Sequence, residues 1–255
     1  MRNVDFLITT MDRYHRAEKL IDSIFEYYPE AKVTVADQSK ELKPEFYNKW
    51  EQKDLRVLPL EFDCGLSKAR NLLVRNTSRI YKLILEDDFY FTEKTDIKKM
   101  KELLEKGDIV GGAVINNKVE ILFNCYFEKR KKTIYQIPDG DVWQKYNGIK
   151  YKKTGCVLNF FLAKSEVFDK TIWKDDLKIR EHQHFFYRVQ NSIVYTNDIE
   201  IQHDNKGNHP KYKVLKGRDF FWEIALKDLG ATKIKYLTGV CVEIEKDKIV
   251  RYKEK

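Results

Sequence analysis

The sequence predicts an α/β fold with a mixed, mostly parallel sheet flanked by helices, and two observations predict it. Apolar runs with the length of buried strands occur at residues 4–10, 31–37, 55–60 and 80–85. Between the first two runs, apolar side chains recur at helical spacing over residues 16–28, and Pro29 ends that helix. Strand, helix and strand at this spacing indicate right-handed βαβ units, whose strands lie parallel.

Polar residues follow each of these strands. Thr9 and Thr10 end the first strand and Asp37 ends the second. A glycine and a serine after the third strand suit the start of a helix that carries Arg70, where free N–H groups and a guanidinium would receive an anion. Because the carboxyl ends of parallel strands share one sheet edge, we expect a ligand to bind there.

Three adjacent carboxylates, Glu86, Asp87 and Asp88, follow the fourth strand. Like charges this close repel one another, and hard oxygen ligands suit Mg²⁺ or Mn²⁺. The stretch therefore predicts a divalent cation at the sheet edge. A solvated loop or a helix cap is the alternative interpretation.

The chain beyond the acidic cluster is less regular. One segment, residues 154–163, predicts a buried strand with Asn159 in its middle, and a buried amide needs partners that a ligand can supply. Further helices are predicted at 96–106, after 180 and at 218–229. The remaining patterns predict strands at 109–114 and 192–201, a hairpin at 119–134 and a terminal hairpin at 233–252. They also predict a loop at 138–151 and a surface loop at 206–216.

Composition limits the classes of binding partner, the metal chemistry and the cellular location that we expect. The net charge of +8, from 48 Lys and Arg against 40 Asp and Glu, fits an anionic ligand, an acidic membrane surface or a lysine-rich exterior. The basic runs lack the aromatic interleaving of a nucleic-acid groove, so no nucleic-acid partner is predicted. Four separated cysteines without a CxxC pair predict reduced thiols rather than zinc. Without a signal region or a membrane span, we expect a cytoplasmic protein with at most peripheral membrane contact.

Several stretches together resemble GT-A-fold glycosyltransferases, most closely the β-1,4-N-acetylgalactosaminyltransferase catalytic domains and their bacterial family-two-like relatives. The stretches that carry this resemblance, in chain order, are residues 37–39, 65–71, 86–89, 111–113, 159–163, 181–186 and 203–204. The resemblance implies a Rossmann-like GT-A domain over residues 1–220. Its nucleotide-binding half would span 1–91 and its sugar and acceptor half 92–220, with 221–255 as a C-terminal helix and hairpin extension.

The resemblance also implies donor-binding roles. Thr9, Thr10 and Arg13 would line the nucleotide-base pocket, and Asp37 would hydrogen-bond uracil or a comparable base. Arg70 would approach the diphosphate or the donor sugar.

For the acidic cluster, the resemblance implies a DxD-type metal site. Asp88 would bind the cation directly, while Asp87 or Glu86 would reach ribose, sugar or water. His203 would complete the metal shell, and Arg218 would clamp the departing diphosphate. The first acid is Glu where Asp is more usual, which lengthens its reach by one methylene.

The predicted base lies in the stretch Glu181-His182-Gln183-His184. Inverting sugar transfer needs a base to take the proton of the acceptor hydroxyl. Glu181 is the first candidate and His182 the alternative. Related enzymes usually have a second acid where this chain has His184, and donor choice would depend on the pocket around Asn159 and residues 111–114.

The function implied is an inverting glycosyltransferase that depends on Mn²⁺ or Mg²⁺ and a UDP-type sugar donor. It would transfer GalNAc or another hexose or HexNAc to a glycan or glycolipid acceptor, in surface polysaccharide or lipooligosaccharide synthesis at the inner membrane face. A sugar nucleotidyltransferase is one alternative, although the first loop lacks its Gly-rich, basic signature. A catalytically weakened glycan- or nucleotide-binding module is the other.

Overall fold

The computed structural model describes residues 3–204, 219–246 and 248–254. The first part of the chain forms a parallel βαβ arrangement, as predicted. Its strands are β1 (Val4–Thr10), β2 (Lys32–Asp37), β3 (Leu55–Pro59) and β4 (Tyr81–Glu86), and its helices are α1 (Tyr14–Tyr27), a 3-10 helix (Pro44–Trp50) and α2 (Leu66–Arg75). These strands pair in the order β4-β1-β2-β3, all parallel.

The central strand β1 is buried along its whole length because helices cover both faces of the sheet. Side chains alternate across a strand, so Phe6 and Ile8 join one apolar core and Leu7 joins the other. On α1, Leu20 and Ile24 are fully buried against the first of these cores. Two cores on one sheet explain why the strands read as continuous apolar runs.

The second part of the chain extends this sheet and makes it mixed. Its elements are β5 (Phe89–Tyr90), α3 (Ile97–Leu103), β6 (Ile109–Asn116), β7 (Val119–Glu120), β8 (Cys125–Arg130), β9 (Thr133–Pro138), β10 (Gln144–Tyr146), β11 (Ile149–Thr154), β12 (Phe161–Lys164), α4 (Glu166–Lys170), α5 (Glu181–Arg188) and β13 (Ile193–His203). The large sheet runs β10-β11-β13-β6-β12-β4-β1-β2-β3. Strand β12 lies antiparallel to both neighbours, while β13 lies parallel to β6.

A smaller sheet of five strands lies beside the large one. It contains the C-terminal elements that follow α6 (Phe220–Asp228), namely β14 (Lys233–Lys235), β15 (Val240–Glu245) and β16 (Lys248–Lys253). Its strand order is β16-β15-β14-β9-β8, so the predicted terminal hairpin is confirmed and pairs further with a hairpin from the middle of the chain. The division of the chain at residues 91 and 220 stays a prediction. Among the described helices, none is long and apolar enough to cross a membrane.

Three sequence expectations for the middle of the chain are wrong. The hairpin lies at residues 125–138 rather than 119–134, since β7 pairs instead with β6. The expected loop at 138–151 contains β10 and the first half of β11. The expected strand at 154–163 begins only at Phe161, so Asn159 lies in the loop before it.

A glycine pair in β6 explains this loop. A Cβ atom added at Gly111 would lie 2.5 Å from Val157, and one added at Gly112 would lie 2.3 Å from the Phe160 ring. The apolar residues before β12 therefore pack across the backbone of β6 instead of extending a strand. This packing brings Asn159 toward the carboxyl edge of the sheet.

Replacing Gly112 by alanine is expected to lower the free energy of unfolding by about 3 kcal/mol, because the new methyl group overlaps the Phe160 ring. Chemical denaturation measures the change. Gly140→Ala is the control: its methyl group would meet no atom within 4 Å, and its φ of +72° alone costs about 1 kcal/mol. A loss in Gly112→Ala no larger than that in the control would contradict the packing explanation.

Candidate active site

The three adjacent acids of the chain occupy separate environments at the carboxyl edge of the large sheet. Asp87 is fully buried and accepts hydrogen bonds from Thr10 Oγ1 at 2.7 Å and from Arg13 Nε at 3.0 Å. A second nitrogen of Arg13, Nη2, bonds to the other oxygen of Asp87. The guanidinium thus binds this carboxylate in a bidentate way through two nitrogens, which is the strongest geometry for such a pair.

Asp88 is surrounded by three basic side chains. Its Oδ2 lies 2.9 Å from Arg13 Nη1, 3.4 Å from Arg16 Nη1 and 3.6 Å from His203 Nε2. Burial opposes ionisation of Asp88, but the nearby His203 imidazole and the two guanidinium charges lower its pKa to about 2. The same contact with Asp88 raises the pKa of His203.

Sheet pairing explains why His203 lies here. It is the last residue of β13 and pairs with Phe89, the residue directly after Asp88. The predicted metal ligands Asp88 and His203 are therefore brought together by adjacent strands, although they are far apart in the chain.

Glu86 has a different set of hydrogen-bond partners. Its Oε1 accepts hydrogen bonds from Asn159 Nδ2 at 2.6 Å and from Arg70 Nη2 at 3.3 Å. Arg70 is 1% exposed, and its Nη1 bonds to Oε1 of Glu181, the first residue of α5. One guanidinium thus joins the end of β4 to the start of α5.

A hydrogen-bond chain continues from Asn159 to His182. The Asn159 oxygen lies 2.8 Å from His182 Nδ1. Because the Asn159 amide nitrogen donates to Glu86, its oxygen must accept, which assigns the proton to Nδ1 of the imidazole. Burial and the charge of Arg70 lower the pKa of His182 to about 3, so this imidazole is neutral at physiological pH and a weak base.

Asp37, expected to bind the base of the donor, lies at the end of β2 and is fully buried. Its Oδ2 accepts hydrogen bonds from the Tyr47 hydroxyl at 2.9 Å and the Tyr14 hydroxyl at 3.0 Å, and its Oδ1 accepts one from the Ser39 N–H at 3.0 Å. These bonds connect the start of α1, the 3-10 helix and the residues after β2 around the expected base pocket. Thr9, in the same predicted group, is buried at the end of β1.

Sequence reasoning missed Arg16, Tyr14 and Tyr47. Arg16 is 4% exposed and occupies the apolar stripe of α1, four residues before Leu20. A charged residue on such a stripe is a signal that could have identified it. The tyrosines carry no comparable signal in the sequence. The predicted diphosphate clamp Arg218 lies outside the described residues.

A divalent cation fits this edge only in part. Within residues 3–204, 219–246 and 248–254, no three His, Cys, Asp or Glu side chains are grouped to hold a metal. Yet Asp88 Oδ1 is buried without a hydrogen-bond partner among the described residues, and His203 lies beside it. Mg²⁺ commonly takes one or two carboxylates and completes its shell with substrate phosphates and water. Asp88 and His203 fit a cation held in that way.

The low pKa of His182 predicts a pH dependence of stability. Between about pH 3 and 6.5 the unfolded chain binds a proton at this histidine that the folded chain does not. The free energy of unfolding should therefore fall as the pH is lowered from 6.5, by up to about 1.4 kcal/mol per pH unit. Chemical denaturation from pH 7 to 4 should show a shallower fall in His182→Gln than in the wild type. His15→Gln, at an exposed histidine, is the control, and equal slopes in all three proteins would contradict the assignment.

Comparisons with known proteins match this architecture. The family model described as glycosyl transferase family 2 matches residues 5–170. Beta-1,4 N-acetylgalactosaminyltransferase 2 of Mus musculus is 33% identical over 190 residues, which cover 73% of this chain and 36% of the relative. Beta-1,4 N-acetylgalactosaminyltransferase 1 of Homo sapiens is 28% identical over 220 residues, which cover 80% of this chain and 40% of the relative. The chain thus spans about two-fifths of the length of these relatives.

Among solved structures, S. aureus TarS 1-349 in complex with UDP-GlcNAc superposes with a TM-score of 0.65 at 14% identity. The match covers 87% of this chain and 64% of the TarS chain. This likeness confirms the predicted fold, a mixed, mostly parallel sheet of the GT-A type with helices around it and a second small sheet. With a family model that matches most of its length, the chain belongs to glycosyl transferase family 2.

Proposed function

We propose that this chain is an inverting, metal-dependent glycosyltransferase that moves a sugar from a UDP-type donor to a glycan acceptor. The observation that carries the proposal is the buried Arg70, which ties Glu181 to the same sheet edge that holds Asp88 and His203. A carboxylate suited to proton transfer and a pair suited to a cation thus lie at one edge. Family membership and the TarS complex with UDP-GlcNAc support the choice of a nucleotide-sugar donor.

The donor end of the reaction would use the basic and acidic groups beside β1 and β4. Asp88 and His203 would hold a divalent cation together with the donor diphosphate. Bound there, Mn²⁺ or Mg²⁺ would stabilise the charge that develops on the departing nucleoside diphosphate. Arg13 and Arg16 already balance Asp87 and Asp88, so the acids are held in place before a donor arrives.

The acceptor end would use Glu181 as general base. Arg70 Nη1 binds one oxygen of this carboxylate and fixes its orientation, and the other oxygen is the proposed acceptor of the hydroxyl proton. His182 is the weaker candidate, because its pKa of about 3 leaves little affinity for a proton at neutral pH. We assign His182 and Asn159 to positioning: their hydrogen-bond chain ends on Glu86.

The transferred sugar is proposed to be GalNAc or another hexose or HexNAc, since the relatives at 28–33% identity are named as N-acetylgalactosaminyltransferases. A glycan or glycolipid acceptor, peripheral contact with the inner membrane face and a place in surface polysaccharide or lipooligosaccharide synthesis stay predictions.

Isothermal titration with a panel of nucleotide sugars, with and without Mn²⁺, tests the donor class. We expect a UDP-sugar to bind, and to bind more tightly when Mn²⁺ is present. Failure of every nucleotide sugar to bind in a metal-dependent way would contradict the proposal. Release of pyrophosphate from a nucleoside triphosphate would favour a nucleotidyltransferase instead.

Two substitutions separate the proposed roles. Asp88→Asn should abolish the effect of Mn²⁺ on donor binding. Glu181→Gln should leave donor binding within about twofold and lower kcat by about 10²–10⁴-fold, the range for loss of a general base. Titration measures binding and a transfer assay measures kcat.

Glu166→Gln is the matched control, since Glu166 is also the first residue of its helix but is exposed. It should change neither donor binding nor kcat. An equal loss of donor binding in Asp88→Asn and Glu181→Gln would contradict the division of roles.

A further inference from the structure

The outer side of α5 carries a row of side chains that the proposed chemistry does not use. They occupy positions i, i+3, i+4 and i+7, which lie on one face of a helix. The row consists of Arg180, Gln183, His184 and Tyr187. Glu181 instead reaches Arg70, and Phe185 stacks on Trp173 with ring centroids 4.4 Å apart.

Every member of this row contacts a residue of the smaller sheet, of its β14–β15 turn or of α6. The Arg180 guanidinium lies 5.1 Å from the centre of the Trp222 ring, and Gln183 Oε1 accepts a hydrogen bond from the Tyr236 hydroxyl at 3.0 Å. His184 Nε2 lies 2.7 Å from Asp228 Oδ2. The Tyr187 ring lies 6.0 Å from that of Phe127 on β8. Four contacts of different kinds along one helix face indicate a fitted interface.

Two of these contacts each have one deeply buried partner. Trp222 is 4% exposed and His184 is 2% exposed. Asp228 also bonds to Lys174 Nζ at 2.9 Å, so the His184 contact is part of a small charged network. A buried imidazole that donates to a carboxylate fixes its helix more strongly than a surface contact would.

The backbone at the start of α5 depends on this interface. Arg180 has φ 68° and ψ 8°, the left-handed region that residues with a Cβ atom adopt rarely. Such a conformation persists where the surroundings hold it, and here its guanidinium is held against Trp222. Arg180 is followed directly by Glu181, so its conformation sets where the proposed base begins.

We propose that α6 and the smaller sheet position Glu181 by holding the outer side of α5, with Arg180 and His184 as positioning residues. This inference rests on the proposed function, which gives Glu181 the role of base. The C-terminal part of the chain is then a component of the active site, although none of the described residues of α6 and the smaller sheet is proposed to contact the reacting atoms. Its effect on Glu181 is indirect, because it fixes the direction of the first turn of α5.

Arg180→Gly tests this because glycine adopts the left-handed conformation without steric cost, while the guanidinium that lies against Trp222 is removed. We expect the melting temperature to stay near that of the wild type, kcat to fall at least tenfold and the donor KM to change less than twofold. Trp222→Leu should give the same split between kcat and KM, and Trp222→Phe, which keeps an aromatic ring, should restore kcat to within threefold. Unchanged kcat in both Arg180→Gly and Trp222→Leu would overturn the inference, as would a rise in donor KM that matches the fall in kcat.

Hydrogen exchange of the backbone amides gives a readout independent of turnover. In Arg180→Gly and Trp222→Leu, the amides of residues 184–188, which donate within α5, should exchange at least tenfold faster than in the wild type, while amides of β1 stay unchanged. If the wild-type protein transfers no sugar, the proposed function fails, and the exchange rates alone decide the inference. Unchanged exchange in α5 would then overturn it.

Discussion

The buried guanidinium of Arg70 is the interaction on which the rest of the site depends. A charge taken out of water is costly unless it is paired and hydrogen-bonded. Arg70 meets this need with Glu86 from β4 and Glu181 from α5, and its guanidinium lies 5.7 Å from the centre of the Trp173 ring. Removing it would leave a buried carboxylate unpaired, so the end of the parallel sheet and the start of α5 are fixed relative to one another by charge.

The structure changes the interpretation of the acidic cluster, Glu86 to Asp88, that the sequence suggested. Adjacent like charges first indicated a cation, yet the three carboxylates are separated and paired: Asp87 with Arg13, Asp88 with Arg13, Arg16 and His203, and Glu86 with Arg70. Three arginines and His203 offset their mutual repulsion without a metal ion. A cation at Asp88 would therefore take most of its ligands from the donor, which would make cation and donor binding strongly linked.

The parallel half of the fold follows from local patterns. Continuous apolar runs with one amphipathic helix between them predict β1, α1 and β2. Parallel strands end at one edge of the sheet, where ligands bind, and Thr10 and Asp87 meet at this edge. The expectation that His203 lies near Asp88 came from the family resemblance, and adjacent strands do bring the two residues together.

What the sequence could not predict depends on contacts between distant segments. The smaller sheet pairs β9 with β14, about a hundred residues apart, and neither strand carries a mark of its partner. The loop before β12 resembles a strand in composition, but it packs across Gly111 and Gly112, and only the three-dimensional arrangement shows this. The pairing of Arg13 and Arg16 with the acids was likewise not predictable, because side-chain pairing over more than seventy residues has no local period. The apolar stripe of α1 marks Arg16 as buried but does not identify its partner.

The anomeric configuration of the product tests the proposed single displacement most directly. A carboxylate base at Glu181 that activates the acceptor for in-line attack predicts inversion, so an α-linked UDP-sugar should give a β-linked product. Proton NMR of the transfer product would show this configuration. An α-linked product would contradict the role assigned to Glu181, because retention requires a different pathway from a base-assisted single displacement.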